Sequence, residues 1–176
     1  VLWVETIVPP QPTVLSQGRT VHGVPPWNAR GLTGVGVKVG IIDGGFQGFG
    51  ALMGTELPST VVALCYLAIG SFTSNLADCE NGEVHGTAVA ETVIDMAPDA
   101  TLYIANAKSR GDLQSIASWM VSQGVQVINM SLGWGWDGPG DGTSPFSVSP
   151  VKTVDSAVAA GALWVNSAGN AARTSW

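Results

Sequence analysis

Three polar side chains in this sequence stand where a buried segment begins or ends, and their types fit one reaction. Asp43 follows an apolar run, His85 opens a stretch with helical apolar spacing, and Asn170 comes shortly after a second apolar run. An acid that contacts a histidine forms the orienting half of a nucleophilic triad, because the acid fixes the imidazole tautomer and the histidine takes the nucleophile's proton. The amide of an asparagine can donate a hydrogen bond to an oxyanion.

Each of these residues also has a simpler explanation. Asp43 alone fits an Asx turn before two glycines, His85 fits an exposed first helical turn, and Asn170 fits a left-handed turn. The chemical interpretation therefore depends on whether the surrounding elements bring the three side chains to one place.

The elements around them predict a parallel sheet. Residues 37–42 are dominated by β-branched side chains and predict a buried strand, and residues 85–96 predict a helix that ends before Pro98. The other predicted elements are strands at 60–66, 101–105, 125–132 and 162–166, a polar loop at 71–83, a helix with Asp112 as its N-cap, and a helix near 151–158. This alternation predicts an α/β fold of three layers, with helices on both faces of the sheet.

In parallel sheets, functional groups collect beyond the carboxyl ends of the strands. We therefore expect Asp43, the segment Ser131-Leu132-Gly133 and Asn170 to lie at one edge of the sheet. His85 joins this edge only if the helix that it opens begins there.

Composition excludes several classes of protein. The chain has 176 residues, of which 45% are hydrophobic and 11% charged, which predicts one well-buried domain. A net charge of −6 gives no basic footprint for a nucleic acid. The longest wholly apolar run, residues 61–69, is too short to span a membrane. The chain begins with Val1 and has no visible signal peptide, so we expect a processed or excised piece.

The two cysteines, Cys65 and Cys79, frame a short polar loop. They could form one disulfide, which would indicate an extracellular protein, or they could be a buried thiol and an unrelated loop thiol. Their spacing alone does not decide between these alternatives.

Four motifs occur in an order that resembles the subtilisin-like serine peptidases. The motifs are Gly34-Val35-Gly36-Val37-Lys38-Val39-Gly40-Ile41-Ile42-Asp43-Gly44-Gly45, His85-Gly86-Thr87-Ala88-Val89-Ala90, Val127-Ile128-Asn129-Met130-Ser131-Leu132-Gly133 and Ser167-Ala168-Gly169-Asn170. The resemblance implies that Asp43 orients His85, that His85 is the general base and acid, and that Asn170 stabilises the oxyanion. It also implies that Ser131, Leu132 and Gly133 pair with the backbone of a protein or peptide substrate as an added strand.

The sequence departs from the family pattern at several positions. Gly44 stands where Thr or Ser is usual, Ala88 and Glu91 replace a second His and a Gly, and Trp134 and Trp136 replace small residues. These departures affect the expected substrate preference more than the mechanism.

The nucleophile motif, Gly-Thr-Ser-x-x-x-Pro, does not follow Asn170 in this chain. Gly142-Thr143-Ser144 precedes Asn170, lies in a predicted loop and opens no helix, so Ser144 is not the expected nucleophile. We expect the serine to lie beyond this chain, the 176 residues alone to be inactive, and the remaining C-terminal part of the domain to be a partner. The predicted division is an N-terminal segment at 1–33 and a peptidase domain at 34–176.

Two weaker patterns compete. Residues 133–138 spell G-x-G-x-x-G after a strand, but no helix follows immediately and tryptophan rings would crowd a pyrophosphate. Asp137 and Asp141 could bind calcium, although their spacing matches no EF-hand and a solvated turn is the simpler interpretation. We therefore predict a secreted serine endopeptidase without an organic cofactor, leave a structural calcium ion open, and keep a non-catalytic scaffold or binding domain as the alternative.

Overall fold

The computed structural model describes residues 16–134 and 141–168. Within these ranges six strands form one sheet in the order β3-β2-β4-β1-β5-β6. The strands are β1 (Lys38–Asp43), β2 (Val62–Ala68), β3 (Ser71–Thr73), β4 (Thr101–Asn106), β5 (Val127–Met130) and β6 (Leu163–Asn166). The helices are α1 (Gln17–Val21), α2 (Val24–Asn28), α3 (Phe49–Leu52), α4 (His85–Met96), α5 (Arg110–Ser122) and α6 (Pro150–Ala159), with a 3-10 turn at Leu76–Asp78.

The sheet is parallel except at one edge. β1 pairs in parallel with β4 and β5, β4 with β2, and β5 with β6, whereas β3 pairs antiparallel with β2. The predicted polar loop at 71–83 is therefore partly wrong, because it contains β3 and the 3-10 turn. A strand of three residues is too short to leave a recognisable alternation in the sequence.

Both faces of the sheet are covered, which confirms the three-layer α/β prediction. On one face Ile41 and Ile104 pack with Ala90 of α4, and on the other face Ile42 and Ile128 pack in a second buried cluster. The second cluster includes the apolar stripe of α5 and one residue of α6, namely Leu113, Ile116, Met120 and Ala157. Because neighbouring residues of β1 point to opposite buried faces, the strand reads as a nearly continuous apolar run.

A glycine inside β1 makes room for the Met120 side chain of α5. A Cβ built on Gly40 would lie 2.5 Å from Sδ of Met120 and 3.1 Å from Cγ1 of Val125. Any larger residue at position 40 would therefore displace the Met120 side chain from its place against the strand that ends in Asp43.

The predicted N-cap of α5 is wrong. Ser109, not Asp112, caps the helix: its Oγ accepts a hydrogen bond from the Asp112 amide at 3.1 Å. The Ser109 hydroxyl also donates to Oδ2 of Asp112 at 2.7 Å. Asp112 is therefore the third helical residue of a reciprocal cap, a role in which an acid is favoured as well.

The two cysteines form a disulfide, so the alternative of two unrelated thiols is wrong. Cys65 of β2 and Cys79 are fully buried, and their Cα atoms lie 4.8 Å apart. The bridge attaches the loop that precedes α4 to the sheet.

Candidate active site

Asp43 is the last residue of β1 and is completely buried. One carboxylate oxygen, Oδ1, accepts a hydrogen bond from the Gly44 amide at 2.7 Å. The strand position and this local bond leave the other oxygen, Oδ2, to face the first turn of α4.

His85 is the first residue of α4, and its Nδ1 lies 2.8 Å from Oδ2 of Asp43. An ionised carboxylate can only accept, so Nδ1 carries the proton and the lone pair of a neutral ring lies on Nε2. The His85 side chain is 54% exposed, whereas that of Asp43 is 1% exposed. The pair therefore has a buried acid that orients the ring and an accessible imidazole that can take a proton from outside.

Two glycines allow the strand end and the helix start to meet. A Cβ built on Gly86 would lie 2.5 Å from the Gly45 carbonyl oxygen and 2.9 Å from Cβ of Asp43. A Cβ on Gly45 would lie 2.6 Å from the carbonyl oxygen of Asn81. Real Cβ atoms do not approach this closely, so the 2.8 Å contact between the acid and the histidine depends on glycine at both positions.

Backbone hydrogen bonds hold the two segments together. The Phe46 amide donates to the carbonyl of Cys79 at 2.9 Å, and the Gly86 amide donates to the carbonyl of Gly45 at 3.1 Å. The hydroxyl of Thr87 donates to the Gln47 carbonyl at 3.0 Å. The disulfide at Cys79 therefore supports the same turn that carries Asp43.

Burial raises the pKa of Asp43 above its ordinary value of 3.8. The Gly44 amide and the His85 ring act in the opposite direction, because both stabilise the charged carboxylate, and the neighbouring Glu83 carboxylate raises the pKa further. The histidine therefore compensates an acid that would otherwise resist ionisation in the protein interior.

The segment Ser131-Leu132-Gly133 lies beside this pair. The Ser131 amide lies 3.4 Å from the carbonyl of Ile42, the residue before Asp43. The predicted strand at 125–132 is too long, because β5 ends at Met130 and the segment continues from it without strand pairing. Leu132 and Gly133 line a cavity of about 350 Å³ with Trp134, Val151 and Asp155 among its other walls.

Other sequence-predicted positions are placed as follows. Asn170, Trp136 and Asp137 lie outside the described residues. The Ser144 hydroxyl oxygen accepts from the Phe146 amide at 3.2 Å, a local turn contact. Asp141 accepts from the amide and hydroxyl of Thr143, and the hydroxyl bond is the larger reason why its pKa is lowered.

No group of three or more His, Cys, Asp or Glu side chains suited to a metal ion occurs in residues 16–134 and 141–168. Over the same ranges, no helix combines the length and apolarity that crossing a bilayer requires.

Two residues at this edge were missed from the sequence. Asn106 ends β4 in register with Asp43, is 1% exposed, and accepts a hydrogen bond from the Tyr66 amide at 2.7 Å. The sequence does carry a signal for Asn106, because it ends a buried apolar run in a polar residue just as Asp43 does. Lys108, which lies two residues further on, carries no comparable signal.

The fold and the site define a class: a parallel α/β protein whose central strand ends in a buried acid that orients an exposed histidine. Comparison with known proteins gives the same class. The sequence model described as the subtilase family matches residues 34–175. The chain is 34% identical over 161 residues to subtilisin BL of Lederbergia lenta, which covers 83% of this chain and 52% of that protein.

Two further relatives match a similar share of this chain. The chain is 35% identical over 157 residues to subtilisin DY of Bacillus licheniformis, covering 81% of this chain and 50% of that protein. Over 157 residues it is 29% identical to alkaline elastase YaB of a Bacillus strain, covering 81% of this chain and 36% of that protein. The chain spans about half the length of the first two of these relatives. The chain belongs to the subtilase family.

Proposed function

We propose that this chain is part of a serine-type endopeptidase that hydrolyses peptide bonds through an acyl-enzyme. In this proposal Asp43 orients His85, and His85 removes the proton from a serine that lies beyond this chain and later returns it to the leaving amine. Asn170 donates its amide to the oxyanion of the tetrahedral intermediate.

The observation that carries the proposal is the 2.8 Å contact between Nδ1 of His85 and Oδ2 of Asp43. If Asp43 only shaped the turn that follows it, contact with the ring of a histidine 42 positions later would not be required. The exposed ring and the buried acid have the relation that general-base catalysis requires, and similarity to proteins named subtilisin supports a peptidase.

Protein or peptide substrates fit the edge beside this pair. Ser131, Leu132 and Gly133 follow the end of β5, and the Ser131 amide already donates to the Ile42 carbonyl. The other backbone groups of this segment suit an added strand of substrate. The adjoining cavity of about 350 Å³ is large enough for one side chain of that substrate.

The remaining C-terminal part of the domain is the proposed partner of the sheet. Among the described strands, β6 pairs only with β5, and its Leu163 and Val165 are 61% and 46% exposed. An open apolar edge of this kind favours a further covering segment.

Extracellular location is proposed from the disulfide, which persists in oxidising compartments. We propose no organic cofactor and no nucleic acid partner.

The test uses the protein with its complete reading frame. Labelling with a fluorophosphonate probe and hydrolysis of a peptide substrate are measured for the parent protein, His85→Ala and His22→Ala. Loss of the general base is expected to lower kcat by several orders of magnitude, whereas the exposed His22 should be dispensable. A parent protein that binds peptides but neither reacts with the probe nor hydrolyses them would instead indicate the non-catalytic binding domain.

The 176-residue chain alone is expected to be inactive, because no nucleophile motif follows Asn170 in it. Hydrolysis of a peptide ester by this chain, lost on His85→Ala, would contradict that expectation and reopen the assignment of the nucleophile.

A further inference from the structure

A lysine outside the four motifs reaches the turn that holds Asp43. Lys108 lies in the three-residue connection between β4 and α5, residues 107–109. Its Nζ donates a hydrogen bond to the Gly44 carbonyl at 2.6 Å. The Ala107 amide donates to the carbonyl of Asp43 at 3.2 Å, so this connection contacts the end of β1 through two successive residues.

Gly44 itself restrains its turn poorly. Its amide donates to Oδ1 of Asp43 at 2.7 Å, which helps to direct Oδ2 towards His85. Glycine has more backbone freedom than any other residue, and Gly45 follows directly. A hydrogen bond to the Gly44 carbonyl restrains the peptide group between Gly44 and Gly45. The preceding peptide group carries the amide that binds Asp43, so the same bond also limits the direction of the Asp43 carboxylate.

The ammonium group also approaches the segment that leads to His85. A Cβ built on Gly82 would lie 3.8 Å from Nζ of Lys108 and 3.9 Å from the Gly44 carbonyl oxygen. Residue Gly82 precedes Glu83, whose carbonyl accepts a hydrogen bond from the Gln47 amide at 3.0 Å. Lys108 thus stands where the turn after β1 and the segment before α4 come together.

We propose that Lys108 is a positioning residue of the acid–histidine pair: its ammonium group fixes the Gly44 turn so that the Asp43 carboxylate faces His85. Its effect on catalysis rests on the proposed peptidase function, but its effect on the turn does not. The Lys108 side chain thus restrains the backbone of the turn at Gly44, which glycine itself leaves free to change conformation.

The experiment compares three lysine variants. Lys108→Met keeps the aliphatic stem and removes the donor, and Lys108→Arg keeps a cationic donor. Lys38→Met is the matched control, because Lys38 also donates to a backbone carbonyl, that of Gln123 at 2.7 Å, but from the opposite end of β1. Amide hydrogen exchange of Gly44, followed by NMR, and the values of kcat and KM are all measured in the complete protein.

In Lys108→Met the Gly44 amide is expected to exchange about fivefold faster, the factor that loss of one hydrogen bond of about 1 kcal/mol gives. The kcat should fall by a similar factor with KM unchanged, Lys108→Arg should restore both values, and Lys38→Met should alter neither. Unchanged Gly44 exchange in Lys108→Met, or equal changes in Lys38→Met, would overturn the proposal. Faster Gly44 exchange in a complete protein without peptidase activity would sustain the positioning role and refute the proposed function instead.

Discussion

Substitution of Gly86 by alanine tests whether the site depends on close contact between β1 and α4. The added methyl group would lie 2.5 Å from the Gly45 carbonyl oxygen, 2.8 Å from Cε1 of Phe46 and 2.9 Å from Cβ of Asp43. Two of these contacts are with backbone or with the first side-chain atom, which cannot rotate away. The first turn of α4 must therefore move.

The size of the movement follows from the contact distances. Ordinary contact begins at 3.4 Å, so the 2.5 Å approach has to widen by about 0.9 Å. A comparable displacement of His85 would lengthen its 2.8 Å bond to Asp43 beyond hydrogen-bond range. Overpacking costs about 1–3 kcal/mol, and the better helix propensity of alanine returns about 1 kcal/mol.

We therefore expect Gly86→Ala to lower the free energy of unfolding by about 0–2 kcal/mol, and a misplacement of this size to reduce kcat by about 100-fold. Urea unfolding and peptide hydrolysis measure the two effects. The control is Gly111→Ala in α5, where the nearest atom to an added Cβ is the Ser109 hydroxyl oxygen at 3.8 Å. That control should be slightly stabilising. A Gly86→Ala protein that is as stable and as active as Gly111→Ala would refute the packing argument.

Three further predictions concern residues at the same edge. Since burial raises the pKa of Asp43, its stabilising contribution is fully present below pH 3.8, its unfolded value, and declines as the pH rises through the folded pKa. Asp43→Asn should accordingly increase the free energy of unfolding at neutral pH, with the gain closing at acid pH, and urea titrations that find no gain would contradict this. Replacing Cys65 and Cys79 by serine should cost about 3 kcal/mol, the value for a closed loop of about 15 residues; a loss below about 1 kcal/mol would contradict the prediction. Asn106→Ala leaves the Tyr66 amide without its partner and should cost about 1–3 kcal/mol in urea unfolding, whereas an unchanged midpoint would argue against that bond.

Much of the scaffold could be predicted because each buried element carries its own pattern. The helix predicted at 85–96 is observed as His85–Met96, since its apolar spacing and the proline that follows it act locally. The continuous apolar run of β1 likewise indicated a strand that is covered on both faces. The short antiparallel β3 escaped prediction, because three residues carry too little pattern.

The contacts of the site depended on information that is not local. The two glycines after Asp43 suggested a turn, but only the fold shows that Gly45 faces the backbone of the segment before α4 and that Gly86 faces the Gly45 carbonyl. The disulfide could not be decided from a separation of 14 residues, because the 4.8 Å between the Cα atoms depends on how the chain turns back after β2 through β3 and the 3-10 turn that ends just before Cys79. Lys108 could not be found at all, since its partner is a carbonyl 64 positions away. Asn170 lies outside the described residues, and its role stays a prediction.

The position of β1 in the sheet has a consequence for how the chain folds. Its two neighbours are β4 and β5, which lie far along the polypeptide. The Lys38 amide, for example, donates its hydrogen bond to the Gln126 side chain 88 positions later. Loop closure over such distances is slow, and parallel pairing of this kind raises the kinetic barrier. The strand that ends in the acid therefore gains its neighbours late, and refolding in vitro should be slow compared with that of helical proteins of equal length.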